Sequence, residues 1–307
     1  MKTTHYNIVK AARNVQMAAS KRTKAAAGVL KAALPVLLTA FLTGSCAVKD
    51  EGKPVVTVTI EPLRYLAEQI CGDKFSVVTM VPGGVSPETY EPTAQQMAGL
   101  SESVLYIKVG NLGFERTWMK RLRANAQHLI VVDASDGIVP LPSCDGHSDP
   151  HTWTSPANAL QMARNIYKAV ALVDGKDSLY FKERLDSLCD RIMVLDTKMD
   201  SMLRKAACKS FIIYHPALTY LARDYKLRQL PIEDNGREPS AASLKQLIDS
   251  ARSDGTRLMF VQKEFANRNT ETVVRATGAA TVEINPLSYD WENEMLKIAE
   301  AICKQHR

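Results

Sequence analysis

The sequence predicts an α/β fold of two lobes, each with a central parallel sheet flanked by helices, joined by one long rigid helix. Three observations carry this expectation. Short β-branched runs alternate with amphipathic helical stretches, the alternation stops and later resumes, and between the two sets lies an apolar repeat uninterrupted by glycine or proline.

The first lobe is expected over residues 55–175. VVTVTI (55–60) is a β-branched run flanked by prolines, a helical segment over 63–70 ends at Gly72, and FSVVTMV (75–81), SVLYIKVG (103–110) and HLIVVD (128–133) read as further strands. Strands separated by helical stretches imply right-handed βαβ units, hence a parallel sheet covered on both faces. Ser155-Pro156 supplies a helix cap followed by proline at the first helical position, with Leu160, Ala163, Tyr167 and Val170 on one face.

The linking helix is expected over 176–208. Phe181, Leu185, Leu188, Ile192, Leu195, Met199 and Met202 recur at alternating spacings of four and three. A helix of about 30 residues is roughly 45 Å long, more than one small lobe's flank requires, so it reads as a rod joining two domains. The alternative is an antiparallel partner helix packed on a single domain.

The second lobe, 209–307, repeats the alternation. SFIIYH (210–215), RLMFVQ (257–262) and ATVEIN (280–285) read as strands. Helices are expected over 216–225, 240–252 and 269–278, and the chain closes on an amphipathic helix over 289–304.

Charge and cysteine usage narrow the function classes. The formal charge is +6, but residues 1–45 hold seven basic side chains and no acid, leaving 32 basic against 33 acidic residues in the remainder. The basic bias therefore belongs to a leader, and nucleic-acid binding loses its main support. The leader combines a basic start, the apolar run AALPVLLTAFL (32–42) and small residues ending at Cys46, as in a secretory signal, with Met17 as an alternative start. LTGSC (42–46) resembles a lipoprotein processing box. On that reading residues 1–45 are removed, Cys46 carries the lipid, and 46–54 form a polar tether. The other cysteines, Cys71, Cys144, Cys189, Cys208 and Cys303, are odd in number and show no CxxC spacing, which argues against a disulfide framework or a zinc ribbon.

In open parallel sheets ligands bind beyond the carboxyl ends of the strands, and three polar clusters sit there. PGGVSPETYEP (82–92) contributes Glu88, DGHSDPHTWTSP (145–156) contributes His151, and YHPALTYL (214–221) contributes His215. Two imidazoles and a carboxylate suit zinc, which takes nitrogen and oxygen donors at about 2.0–2.2 Å in a four-coordinate shell. A fourth donor is available in EINPLSYD (283–290), where Asn285 lies close to Glu283 and Asp290. Each histidine alone suits a structural role, a helix cap or a satisfied polar group at a strand end, better than a ligand's. Convergence from both lobes is what favours a metal. Asp149 either orients the His151 ring or caps the following helix, and Trp153 packs behind that turn. His147 and Cys144 could form an accessory zinc-gathering pair.

Several motifs in order, DPHTW (149–153), SPETYEPTAQQM (86–97), NLGFERTW (111–118), YHPALTYLARDYKL (214–227), GREPSAASLKQLID (236–249) and ATGAATVEINPL (276–287), together with the long helix, resemble the solute-binding lipoproteins of zinc and manganese ABC transporters. The similarity spans residues 55–307. It implies one metal ion held between the lobes by four side chains, two from each, in a monomer that is anchored by lipid to a bacterial membrane, periplasmic or surface-exposed, and that delivers its ion to a permease. The family's first ligand is the histidine of a PHxYEP motif, a place held here by Glu88; the second is His151 and the third His215. The fourth is the acid of a DPL motif, and here it is Asn285. Zinc is the expected cargo because two imidazoles favour it, with manganese or iron as alternatives and a site disabled by the two departures as another.

Two other functions compete. A metallohydrolase would need an open coordination position with a general base beside it, and the sequence has no HExxH, no GxSxG and no glycine-rich phosphate loop. A non-enzyme is therefore expected. A carrier of metal chelates would need an aromatic or basic cleft in place of converging ligands.

Overall fold

Among the described residues, eight short strands form two four-stranded sheets, each wholly parallel. The structure is a computed structural model that describes residues 52–143, 146–233, 237–262 and 268–305. The leader, Cys46, most of the tether and Cys144 lie outside the described residues.

In the first lobe, β1 (Val55–Val58), β2 (Ser76–Thr79), β3 (Ser103–Lys108) and β4 (Ile130–Asp133) lie in the order β2-β1-β3-β4. In the second, β5 (Ser210–Ile213), β6 (Arg228–Pro231), β7 (Leu258–Gln262) and β8 (Ala280–Ile284) repeat it as β6-β5-β7-β8. This order reverses direction between the first and third strand of each sheet, which opens a crevice beyond their carboxyl ends. Both faces of the second sheet are buried: Phe211, Ile213, Leu258 and Phe260 belong to the main core, while Ile212 and Met259 face a smaller cluster with Leu230 and Val273. Strands covered on both faces are read as continuous apolar runs, as SFII and LMF are.

The helices are α1 (Glu61–Cys71), α2 (Ala94–Gly99), α3 (Gly113–Asn125), α4 (Pro156–Val173), α5 (Ser178–Arg204), α6 (Thr219–Asp224), α7 (Ala241–Ser253), α8 (Arg268–Thr277) and α9 (Trp291–Lys304). Ser155 caps α4 as expected, its hydroxyl accepting from Asn158 N at 3.1 Å with Pro156 at the first position. Three elements escape the sequence reading. α2 buries none of its side chains, so it has no apolar stripe to read. Five of the 13 residues of α3 are charged, and only Gly113, Phe114, Glu115 and Leu122 are buried. β6 is an edge strand that ends at Pro231, a position where a missing N–H costs the sheet little.

α5 is the linking helix. It has 27 residues, about 40 Å at 1.5 Å per residue. Phe181, Leu185, Leu188, Ile192, Leu195 and Met199 are buried as the repeat predicts, but the next buried residue is Leu203, and Met202 is only partly covered. The reason is geometric: a straight helix turns every 3.6 residues, so a strict 3.5 repeat drifts off the buried face by its last turn. α5 packs against α1, α4 and α9, and a single apolar core runs from the first sheet through α5 to the second. Polar bonds cross the same junction. Tyr65 OH donates to Glu292, and Arg191 donates to Glu292 Oε1 at 3.1 Å and Gln69 Oε1 at 2.8 Å, which ties α1, α5 and α9 together.

Because the core is continuous through α5, Ile192→Ala should destabilise the protein by about 2–5 kcal/mol while leaving one cooperative unfolding transition. Denaturant unfolding followed by fluorescence and by circular dichroism would test this. Two separated transitions would show that the lobes melt independently.

Candidate metal centre

The expected site residues all follow strand ends. Glu88 lies in the loop after β2, His151 between β4 and α4, His215 two residues beyond β5, and Asn285 directly after β8. All four line one small cavity of about 40 Å³, together with Trp153, Gln262 and Pro286.

The His151 turn is built by its neighbours. Asp149 Oδ1 accepts from the His151 backbone N–H and from ring Nδ1, each at 2.8 Å, and Tyr220 OH donates to the Asp149 carbonyl at 3.0 Å. Burial pushes the Asp149 carboxyl up, but these bonds to His151 outweigh it and hold the group below the usual carboxylate range. Asp149 therefore orients the ring, and Ser155 is the cap of α4. Trp153 is buried behind the turn and donates from Nε1 to Pro286 O at 2.7 Å, while Trp291 Nε1 donates back to Trp153 O at 2.8 Å. The two indoles thus clamp the His151 turn of one lobe to the Asn285-Pro286 segment of the other.

His215 is built the same way from different parts. Its backbone N–H donates to Gln262 Oε1 at 3.2 Å, and its ring Nδ1 lies 2.9 Å from Glu233 Oε2. Each carboxylate fixes a ring by accepting from Nδ1, which leaves Nε2 with the lone pair. The two Nε2 atoms face each other 3.2 Å apart. Two unprotonated nitrogens at that distance repel unless a proton or a cation lies between them. Two nitrogens bound tetrahedrally to zinc at about 2.0–2.1 Å would sit about 3.3 Å apart. The spacing of these two nitrogens fits two corners of a tetrahedral zinc shell, as it fits a single N–H···N hydrogen bond.

Glu88 reaches the same cavity from the other side. Its Oε2 accepts from Gly113 N at 3.0 Å and lies 3.7 Å from Arg116 Nη2, whereas its Oε1 is buried without a hydrogen-bond partner. Asn285 is turned back on its own loop, its Oδ1 accepting from Leu287 N at 3.1 Å, and its backbone N–H donates to Glu294 Oε1 at 2.8 Å. The structure thus brings the two histidines into contact and puts Glu88 and Asn285 on the wall. Among the described residues, no three His, Cys, Asp or Glu side chains converge closely enough to enclose an ion together.

Two supporting residues were missed in the sequence. Glu233 stands two positions past β6, and recognition of that strand would have placed it at the same sheet edge as His215. Gln262 is the last residue of β7 and is polar at the end of an apolar run, a signal that was present. Of the accessory pair, His147 is exposed in the turn closed by Ser143 N donating to His147 O at 2.9 Å, and Cys144 is outside the described residues.

A family profile described as zinc-uptake complex component A, periplasmic (ZnuA), matches residues 56–302. The high-affinity zinc uptake system protein ZnuA of Bacillus subtilis (strain 168) is 29% identical over 262 residues, covering 80% of this chain and 81% of its own length. The zinc-binding lipoprotein AdcA of Streptococcus pneumoniae serotype 4 is 25% identical over 255 residues, covering 77% of this chain and 50% of its own. A crystal structure of ZnuA superposes with a TM-score of 0.79 at 35% identity, covering 82% of this chain and 98% of that one. A zinc-bound ZnuA lacking residues 138–173 of its own numbering gives 0.78 at 36%, covering 83% and 100%.

The ring tautomers can be checked directly. Nitrogen-15 spectra of the imidazoles should show Nδ1 protonated on both His151 and His215, with Asp149→Ala and Glu233→Ala each releasing that preference in its own ring. Protonation of Nε2 on both rings, with Nδ1 bare, would contradict the geometry described.

Proposed function

The chain belongs to the periplasmic zinc-uptake complex component A family, and on that premise we propose that it captures one zinc ion between its lobes through His151 Nε2, His215 Nε2, Glu88 Oε1 and Asn285 Oδ1. The observation that carries this reading is the pair of Nε2 atoms 3.2 Å apart, each ring braced by a carboxylate on Nδ1. The unpartnered Glu88 Oε1 supports a third donor, since a buried oxygen without a partner costs about 1–3 kcal/mol that an ion would recover.

The lobes are residues 55–175 and 209–307, with 176–208 linking them. The ion passes from this protein to the permease of an ABC transporter. Cys46 carries the lipid that holds a monomer at the bacterial membrane, on its extracytoplasmic side. Among the described residues no helix is long and apolar enough to cross a membrane.

Three alternatives are less well supported. Manganese or iron would use the same donors, but two imidazoles favour zinc. A chelate needs far more than 40 Å³, since pockets for small molecules run to roughly 300–1,000 Å³. A hydrolase needs a general base beyond the metal ligands, and the ionisable groups lining the cavity are Glu88 and the two histidines, all assigned to the ion.

Calorimetric titration tests the reading. Zinc should bind one to one and more tightly than manganese, and His151→Ala, His215→Ala and Glu88→Ala should each weaken it, the histidine variants by roughly a hundredfold or more, or about 2.7 kcal/mol. A flat zinc titration, or histidine variants that bind as the parent does, would overturn it.

A further inference from the structure

We propose that Gly113 and Arg116, at the start of α3, determine metal specificity by holding Glu88 Oε2 away from the ion, so that the carboxylate coordinates through Oε1 alone. This inference rests on the reading of Glu88 as a ligand.

The first N–H groups of a helix lack intrahelical acceptors and carry the positive end of its dipole, so a carboxylate oxygen is a favourable partner. Gly113 N–H donates to Glu88 Oε2 at 3.0 Å, and Arg116 Nη2 lies 3.7 Å from the same oxygen. The next N–H, that of Phe114, donates to Pro87 O at 2.9 Å, so one helical turn grips both the side chain and the backbone of this loop. Oε1, by contrast, is buried and unpartnered in a residue that lines the metal cavity. The two oxygens of one carboxylate are therefore chemically distinct before any ion arrives.

The grip depends on glycine. A Cβ at position 113 would lie 2.5 Å from Glu88 Oε2, 2.7 Å from its carbonyl oxygen and 3.1 Å from its Cα. Alanine there would force the loop off α3 and free Oε2, although it suits a helix better than glycine does.

Pinning one oxygen selects among ions. Zinc is satisfied by four donors. Manganese prefers six, rich in oxygen, and a carboxylate able to turn both oxygens inward would supply one more. With Oε2 committed to α3, the site offers two nitrogens, one carboxylate oxygen and the Asn285 amide, a set matched to the smaller coordination number.

Cobalt(II) reports coordination number, because four-coordinate cobalt absorbs visible light strongly and six-coordinate cobalt weakly. We would titrate cobalt, zinc and manganese into the protein and into Gly113→Ala, Arg116→Gln and Glu88→Ala. Expected are intense cobalt bands in the parent, weaker ones in Gly113→Ala and Arg116→Gln, and a zinc-to-manganese affinity ratio at least tenfold smaller in Gly113→Ala with a lesser fall in Arg116→Gln. Unchanged bands and ratio in both variants, with Glu88→Ala still weakening zinc, would overturn this inference and leave Glu88 as a ligand. If Glu88→Ala binds zinc as the parent does, the ligand reading fails and the inference with it. Should Gly113→Ala fail to fold, Arg116→Gln decides, since Arg116 is 35% exposed and its loss spares the core; no change there would overturn the proposal.

Discussion

Two imidazole Nε2 atoms are held face to face, and the rest of the architecture makes that possible. His151 belongs to the first lobe and His215 to the second, so their 3.2 Å approach is a statement about how the lobes are fixed as well as about two side chains. Without bracing, each ring would be free to rotate about its Cβ–Cγ bond. Asp149 and Glu233 prevent this from behind, each occupying the nitrogen that a rotated ring would need to present. In the proposed zinc complex the ion would lie between these two nitrogens.

Fixing the lobes falls to three devices at increasing distance from the rings. The exchange between Trp153 and Trp291 binds the His151 turn to the segment after β8 through two buried indole N–H bonds. Farther out, Arg191 on α5 gathers Tyr65, Gln69 and Glu292 from the helices on either side. Tyr289, in the loop between Asn285 and α9, donates to Glu68 Oε2 while Arg64 stacks 4.3 Å over its ring, so the loop bearing Asn285 is also held from the first lobe. Beneath all of these runs α5, whose apolar face belongs to the same core as both sheets. A protein joined this way has little freedom for wide hinge motion. Movement on ion capture is more readily accommodated in the loops, where Glu88 has one oxygen uncommitted and Asn285 folds back on Leu287.

Most of this was legible in the sequence where burial writes a period. The strands β1, β3, β5 and β7 are buried, β-branched or aromatic, and read directly, and six of the seven α5 positions predicted by spacing are buried. What failed to read was what burial does not mark. β6 is an exposed-edge strand of mixed residues, and without it Glu233 has no place in the site. The grip of α3 on Glu88 is made by backbone N–H groups, which no side-chain pattern records. Glu115, buried in α3 and accepting from Thr59 Oγ1, Val109 N and Gly110 N, braces the turn that leads into this helix, yet in the sequence it looks like any helical glutamate. Burial pushes its carboxyl up, so those three donors answer a real desolvation cost. The histidines could be found by motif; the reason they point at each other needed coordinates.

The departures from the family's ligand pattern form a coherent exchange. Replacing an imidazole by Glu88 and a carboxylate by Asn285 leaves the formal charge of the proposed ligand set at −1 but moves it from the second lobe to the first. A carboxylate at the cavity wall is stabilised by a hydrogen-bond donor or an opposite charge beside it. The first lobe supplies one in the N-terminus of α3, with Arg116 beside it. The second lobe then presents only neutral donors to the ion, His215 and Asn285, with its own charge set back on Glu233 behind the ring. In the proposed ligand set the one formal charge thus stands on the first lobe, and the second lobe would complete the shell without adding charge.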